Sequence, residues 1–328
     1  MKNSAITKLF FKLALIGLPF AVVFILVMFF TPYITELQKA KMQDKVDRLI
    51  LQASTSPQVI IAGDSRAEAN VMPLLFTQES GLSGVNIATG NEVLGQVYDT
   101  LDSNGLLNKH NLLIISVSLF AINDAARDYQ PIDKAVVDTE PWNTRKAEDL
   151  FVYWRSYVHY YVDRFKDDLQ FTSTAENVRM PDAVAQAKGY LVATDGGLIG
   201  KTTIGDPFEP YNKDYRIGGL KEREFIKTLE QLGSTTDTVV IYLGPLAPLW
   251  KESMDETSKE RNDYFASLIK KTVARYPNLY FINFETEDTS TTLPNEKFGD
   301  QIHLNSSGAA TFTTLLVHTL QSNRILHG

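Results

Sequence analysis

Val59-Ile60-Ile61-Ala62-Gly63-Asp64-Ser65-Arg66-Ala67 is a run of apolar, mostly branched residues that stops at a glycine and passes into a polar tripeptide. Such a run suits a short strand buried on both faces, the form that a parallel sheet requires. The segment from Ala67 to Phe76 then has helix-compatible spacing. Ser65 is therefore expected at the carboxyl end of a strand and beside a helix N-terminus. In open α/β sheets ligands bind at that edge, and the unpaired N–H groups of a first helical turn favour developing negative charge. A serine placed there is a candidate nucleophile.

Outward from this stretch the rhythm repeats. Strands are predicted over 58–62, 84–88 and 111–118, with helices over 67–76 and 92–104 between them. The alternation predicts right-handed βαβ crossovers and a central parallel sheet, and Leu112 to Val117 suits its middle. After Asn123 the rhythm lapses. It resumes with a helix at Leu220–Leu232, a strand at Thr238–Leu243, an amphipathic helix at Arg261–Tyr276, a short strand near Leu279–Ile282 and a helix at Ser306–Leu320. A gap of that length predicts an insertion near 125–219 with structure of its own.

Serine is a weak nucleophile at its free pKa. It needs a base in hydrogen-bond reach, and the base needs a carboxylate to fix its tautomer. Asp300-Gln301-Ile302-His303 can supply both from one tight turn leading into the Ser306–Leu320 helix. Only folding would bring this pair to Ser65.

Together these residues resemble the SGNH (GDSL-like) hydrolase superfamily. Gly63-Asp64-Ser65 matches its first block, with Arg66 where an apolar residue is common, and Asp300 with His303 matches its last. Val85-Asn86-Ile87-Ala88-Thr89-Gly90 resembles the second block and Ala121-Ile122-Asn123-Asp124 the third, with Ala121 in place of glycine. The resemblance implies a three-layer α/β/α, flavodoxin-like domain. It also implies Ser65, Asp300 and His303 as catalytic residues and an oxyanion hole from the Ser65 and Gly90 N–H groups and the Asn123 side chain. Under it Asp64 braces the turn, and the triad acid is Asp300.

Leu13 to Phe30 is an uncharged apolar run of 18 residues, long enough to span a bilayer. The absence of a small-x-small site after it favours an uncleaved signal anchor over a cleaved signal peptide. The expected division is a tail over 1–12, a transmembrane anchor over 13–34, a juxtamembrane helix or linker over 35–57 and a catalytic domain over 58–328. Lysines flank both sides of the span, so orientation rests on the tendency of short N-terminal anchors to export the domain attached to them. The expected location is the cytoplasmic membrane, single-pass, with the domain extracytoplasmic.

The 328 residues carry 32 basic and 39 acidic side chains, a net charge of −7, and no basic surface that would bind nucleic acid is indicated. There is no cysteine, which excludes disulfides, thiolate metal sites and a cysteine nucleophile. No cofactor or metal is expected. The anchor and Gly-Asp-Ser-Arg together resemble bacterial SGNH proteins that work beside membrane-bound O-acyltransferases on alginate, peptidoglycan or teichoic acids. That resemblance implies an acyl donor, an envelope polysaccharide acceptor and a multi-span O-acyltransferase partner. O-acetyl transfer is the favoured reading, an extracytoplasmic carbohydrate esterase or lipase the close second, and a non-catalytic glycan-binding or assembly protein the rival of another class.

Substrate-binding candidates are Arg66, Asn91 and Trp250. Arg66 has two roles open to it, an anion contact or a structural salt bridge. Trp250, in Gly244-Pro-Leu-Ala-Pro-Leu-Trp, either walls an acyl or acceptor pocket or packs a proline-defined turn. Trp142, Phe151, Tyr153, Trp154, Tyr157, Tyr160 and Tyr161 read as core packing ahead of a sugar platform. Gly189 to Leu198 reads as strand, turn and strand around Asp195-Gly196. His110, His159, His318 and His327 lack motif support and read as structural or surface residues. Gly63-x-Ser65-x-Ala67 also keeps an α/β-hydrolase elbow open, although that fold separates its acid from its histidine more widely.

Overall fold

A computed structural model describes residues 58–90, 92–125, 147–155, 215–286 and 289–326. The expected anchor over 13–34, the juxtamembrane segment over 35–57, most of the insertion, and Asn91 lie outside these residues. No helix among the described residues is long and apolar enough to cross a membrane.

Five strands form one sheet: β1 (Val59–Gly63), β2 (Gly84–Asn86), β3 (Leu112–Ser116), β4 (Thr238–Leu243) and β5 (Leu279–Asn283). Their order is β2-β1-β3-β4-β5 and every neighbouring pair is parallel. Side chains alternate across this sheet, so the branched runs feed two cores at once. Ile60, Leu113, Ile115, Val239 and Ile241 face α3 (Leu94–Ser103), α4 (Leu220–Gly233) and α6 (Glu256–Val273). Ile61, Ile114, Val240 and Tyr242 face α1 (Ser65–Asn70), α2 (Pro73–Ser80) and α7 (Ser306–Ser322). The result is three layers. Burial of each such side chain contributes about 1.5–3 kcal/mol.

Three local readings are corrected. The helix expected over 67–76 is two helices, because Pro73 drives Met72 out of the helical region (φ −95°, ψ 103°) and Val71 is extended as well. The first begins at Ser65, where the Asp64 side chain caps it by accepting from Arg66 N at 3.1 Å. The helix expected from Arg261 begins at Glu256, since Asp255 accepts from Ser258 N at 2.7 Å and fixes an earlier start. The segment after Gly244 also carries a short helix, α5 (Pro248–Ser253), with Pro248 in its first turn.

Asn123 and Asp124 close the base of the insertion. Asn123 Oδ1 accepts from Ala125 N at 3.0 Å and Arg216 N at 2.9 Å. The Asp124 carboxylate accepts from Leu220 N at 3.0 Å and Lys221 N at 2.9 Å, capping α4 from across the gap. Within the insertion residues 147–155 are helical; Val152 and Leu220 are buried against each other, while Phe151 and Trp154 are exposed. The 189–198 hairpin and Trp142, Tyr157, Tyr160 and Tyr161 lie outside the described residues.

Candidate active site

The turn that presents Ser65 depends on Gly63. Its φ is +119°, and a Cβ there would stand 2.4 Å from the Ser116 carbonyl oxygen of the paired strand. Only glycine lets β1 run so close to β3 and still turn into α1. Asp64 is 2% exposed and holds the turn from inside, accepting from Ser116 Oγ at 2.9 Å and from Ser118 Oγ as well as from Arg66 N. Ser65 then opens α1, half-buried at the carboxyl edge of the sheet.

His303 arrives from the loop before α7. Asp300 Oδ1 accepts from Ile302 N at 2.9 Å and His303 N at 2.8 Å, and the backbone of Gly299 donates to His303 O at 2.8 Å. Asn70, the fully buried last residue of α1, grips the same loop on both sides of the histidine. Its Nδ2 donates to Ile302 O at 3.2 Å and its Oδ1 accepts from Leu304 N at 2.9 Å. The helix that carries Ser65 therefore also positions the loop that carries His303.

The three side chains form a hydrogen-bonded row. Ser65 Oγ is 2.7 Å from His303 Nε2, and His303 Nδ1 is 2.7 Å from Asp300 Oδ2. With Nδ1–H donated to the carboxylate, Nε2 is the acceptor for the Ser65 hydroxyl proton. Partial burial pushes the Asp300 carboxyl upward, but the hydrogen bond and charge of His303 and the two backbone N–H groups outweigh it and hold the group below the usual carboxylate range. Asp300 thus stays ionised at neutral pH, where it can stabilise an imidazolium.

The expected oxyanion donors are arranged unequally. Ser65 N–H meets no protein acceptor among the described residues, as befits the first donor of a helix. Gly90 faces Ser65 closely enough that a Cβ on it would lie 3.9 Å from Ser65 Cβ, but its N–H donates to Glu68 Oε2 at 3.1 Å. Asn123 is fully buried with its oxygen turned to Ala125 and Arg216, so an oxyanion contact from it has to come from Nδ2.

Arg66 points inward. It is 3% exposed, with Nη1 at 2.8 Å from Glu285 Oε1, Nη2 donating to Ser118 Oγ at 2.7 Å and to Val117 O, and Nε 3.6 Å from Asp64 Oδ2. Of its two open roles the structure displays the salt bridge. Burial opposes the Arg66 charge, yet Asp64 and Glu285 more than compensate and raise its pKa; burial pushes Glu285 up against the pull of Arg66. Trp250 lies in α5, partly buried against the α7 side of the core, and lines the cleft beside Arg66. Asn91 is outside the described residues. His318 is exposed on α7, His110 precedes β3 at the opposite end of the sheet, and His159 and His327 are not described. Among the described residues no group of three or more His, Asp or Glu side chains is placed to hold a metal ion.

Asn70, Glu68 and Glu285 carry no signal in the sequence that singles them out. Each is a single polar residue whose significance comes from a partner distant in the chain, and only its acidic or amide character near a sheet edge marks it in advance.

No family model and no curated protein matches the chain. Solved structures of similar arrangement include a lipase/acylhydrolase from Enterococcus faecalis, 12% identical with a TM-score of 0.41, covering 81% of this chain and 96% of that one. A candidate acylhydrolase from Bacteroides fragilis is 11% identical at a TM-score of 0.40, covering 87% and 95%. A candidate lipolytic protein of the G-D-S-L family from Desulfitobacterium hafniense is 14% identical at 0.37, covering 80% and 99%. Likenesses this distant assign no activity; the geometry of the site carries the functional reading.

Proposed function

We propose that this chain is a membrane-anchored, SGNH-type serine acyltransferase that O-acetylates an extracytoplasmic cell-envelope polysaccharide through an acyl-serine intermediate. The observation that carries the serine chemistry is the Ser65–His303–Asp300 row with both contacts at 2.7 Å. As Ser65 Oγ attacks the donor's ester carbonyl, His303 Nε2 takes the hydroxyl proton and Asp300 supports the resulting imidazolium. The developing oxyanion is received by the Ser65 N–H, by Gly90 N–H once Glu68 releases it, and by Asn123 Nδ2. The tetrahedral intermediate collapses by breaking the ester C–O bond, and the imidazolium returns its proton to the leaving oxygen. In the second half-reaction His303 takes the proton of an acceptor hydroxyl as that oxygen attacks the acyl carbon; the bond from the acyl carbon to Ser65 Oγ breaks, the imidazolium returns the proton to Ser65 Oγ, and the acyl group is left on the acceptor.

The apolar span from Leu13 to Phe30 supports an anchored enzyme working with a membrane-bound O-acyltransferase that delivers the acyl group. Hydrolysis is the second reading, favoured by one feature of the site: the Asp300 side chain is 42% exposed and that of His303 20%, so water can reach the acyl-serine.

The test uses the purified full chain in detergent with a small acetyl ester, with and without oligosaccharide acceptors, beside Ser65→Ala and His303→Ala. Acceptor acetylation that both substitutions abolish is the expected result. Acetate release alone, equally sensitive to them, would establish the esterase. Turnover unchanged in both variants would remove the site from the chemistry.

A further inference from the structure

The Asn123 side chain is gripped by the insertion. Its Oδ1 accepts from Ala125 N at 3.0 Å and from Arg216 N at 2.9 Å, amides at the two ends of that segment. Two N–H donors on one atom fix which arm of the amide is the oxygen, and Nδ2 is left on the other arm, turned away from them. Asn123 is fully buried, so both bonds are made without competition from water. The Ala125 N–H belongs to a peptide group whose other end is held as well: its carbonyl oxygen, Asp124 O, accepts from Arg155 Nη2. The helix over 147–155 keeps Arg155 in place. One turn before it Val152 is buried against Leu220, and a further turn back Asp149 forms an ion pair with Arg223 of α4.

Guanidinium, peptide group and Asn123 amide therefore stand in one hydrogen-bonded row. A cation on a peptide oxygen draws electron density toward itself and makes the N–H of the same group a stronger donor, and hydrogen bonds in a row polarise one another in one direction. The Asn123 amide yields density at its oxygen, so its Nδ2–H groups become stronger donors in turn. We infer that Arg155 is a positioning residue for the oxyanion hole: through the peptide between Asp124 and Ala125 it orients the Asn123 amide and strengthens Nδ2 as a donor to the charge that develops on the attacked carbonyl. The inference deepens the proposed reaction and rests on it for the role of Asn123. A helix that shares no residue with the triad thereby sets how well the site receives its transition state.

The test compares the full chain in detergent with Arg155→Met, which keeps an apolar stem and removes the charge, Arg155→Lys, Asn123→Ala and the double variant Arg155→Met/Asn123→Ala. Each is assayed for acetate release from a small acetyl ester. Each is also labelled with isotope-enriched asparagine for NMR of the side-chain amides, the Asn123 signal being recognised by its loss in Asn123→Ala. Arg155→Met is expected to lower kcat about tenfold with KM little changed, a part of the roughly 100- to 1,000-fold that losing an oxyanion donor outright costs. It is also expected to move the Asn123 Nδ2 proton signal upfield, as a weakened donor requires. Arg155→Lys should recover part of both effects, since lysine keeps the charge but not the planar fork. In the Asn123→Ala background Arg155→Met should cost nothing further, because the group it acts through is gone. An unchanged kcat in Arg155→Met, a loss that persists undiminished in the Asn123→Ala background, or an Asn123 signal that does not move would overturn the inference. A wild type that turns over no acetyl ester, with an Asn123 signal that still follows the Arg155 charge, would refute the proposed reaction and support the hold of Arg155 on Asn123.

Discussion

Asn70 ties the candidate nucleophile to the candidate base, since it is part of the helix that begins with Ser65 and holds the backbone on either side of His303. Asn70→Ala leaves the Ile302 carbonyl and the Leu304 N–H without this partner, at about 1–3 kcal/mol of stability. We expect kcat to fall by up to about 100-fold, the effect of roughly an ångström of misplacement, with KM little changed; steady-state kinetics beside a urea titration will check both. If the proposed chemistry holds, Asp300→Asn, which removes the carboxylate that fixes the imidazole tautomer, should lower kcat by on the order of 10⁴. Glu68 acts in the opposite sense. Its carboxylate occupies the Gly90 N–H, so Glu68→Ala should free an oxyanion donor and raise kcat by up to about tenfold, the worth of one hydrogen bond to a charged group. A fall in kcat would instead make Glu68 a support for the Gly90 loop.

Among the elements, β1 was the most legible and α1 the least. Val59 to Gly63 announced a buried parallel strand because branched residues with no polar interruption have no other economical use. The break between α1 and α2 was also written in the sequence at Pro73, but the helical spacing of the flanking residues masked it. Asp300 and His303 were readable because the turn that joins them is local. Asn70 was not, because its partners lie more than two hundred residues away and nothing local distinguishes it from a polar residue on a helix surface. Asn123 is expected in the oxyanion hole and Asp124 only as its block neighbour; in the structure the side-chain oxygens of both also fasten the two ends of the insertion, a role that depends on partners far along the chain. Gly63→Ala tests the tightest of these elements: the added methyl meets the Ser116 carbonyl at 2.4 Å and the backbone is held at φ +119°. Strain and overpacking together should remove about 2–6 kcal/mol, read as a lower urea midpoint, with activity lost even where folding survives.

For the whole molecule, the sheet edge gathers more charge than a buried site usually tolerates. Asp64, Arg66 and Glu285 form one ionic cluster behind Ser65, each 11% exposed or less at the side chain. Removing one partner from such a cluster leaves an uncompensated buried charge, so Glu285→Leu should destabilise the fold by about 3–5 kcal/mol, measured by urea denaturation at neutral pH. Acid acts on a different group. The folded-state pKa of Asp300 is depressed, so its contribution to stability is fully present above the ordinary carboxylate range and is lost as pH falls through the depressed value. The urea-midpoint difference between wild type and Asp300→Asn should therefore shrink steadily on acidification below that range. A constant difference would show that the Asp300 hydrogen bonds do not depend on its charge.

The grip of Asn70 on the His303 loop also has a consequence in time. A ribosome that has produced the chain only as far as β5 has already emitted Ser65 and the helix that carries it, but neither the base nor the second half of the clasp. The serine waits through most of synthesis without anything to deprotonate it. Contacts this remote in sequence close late and slowly, so any reactivity of Ser65 that depends on His303 is expected only after the loop before α7 has been made and has closed onto Asn70.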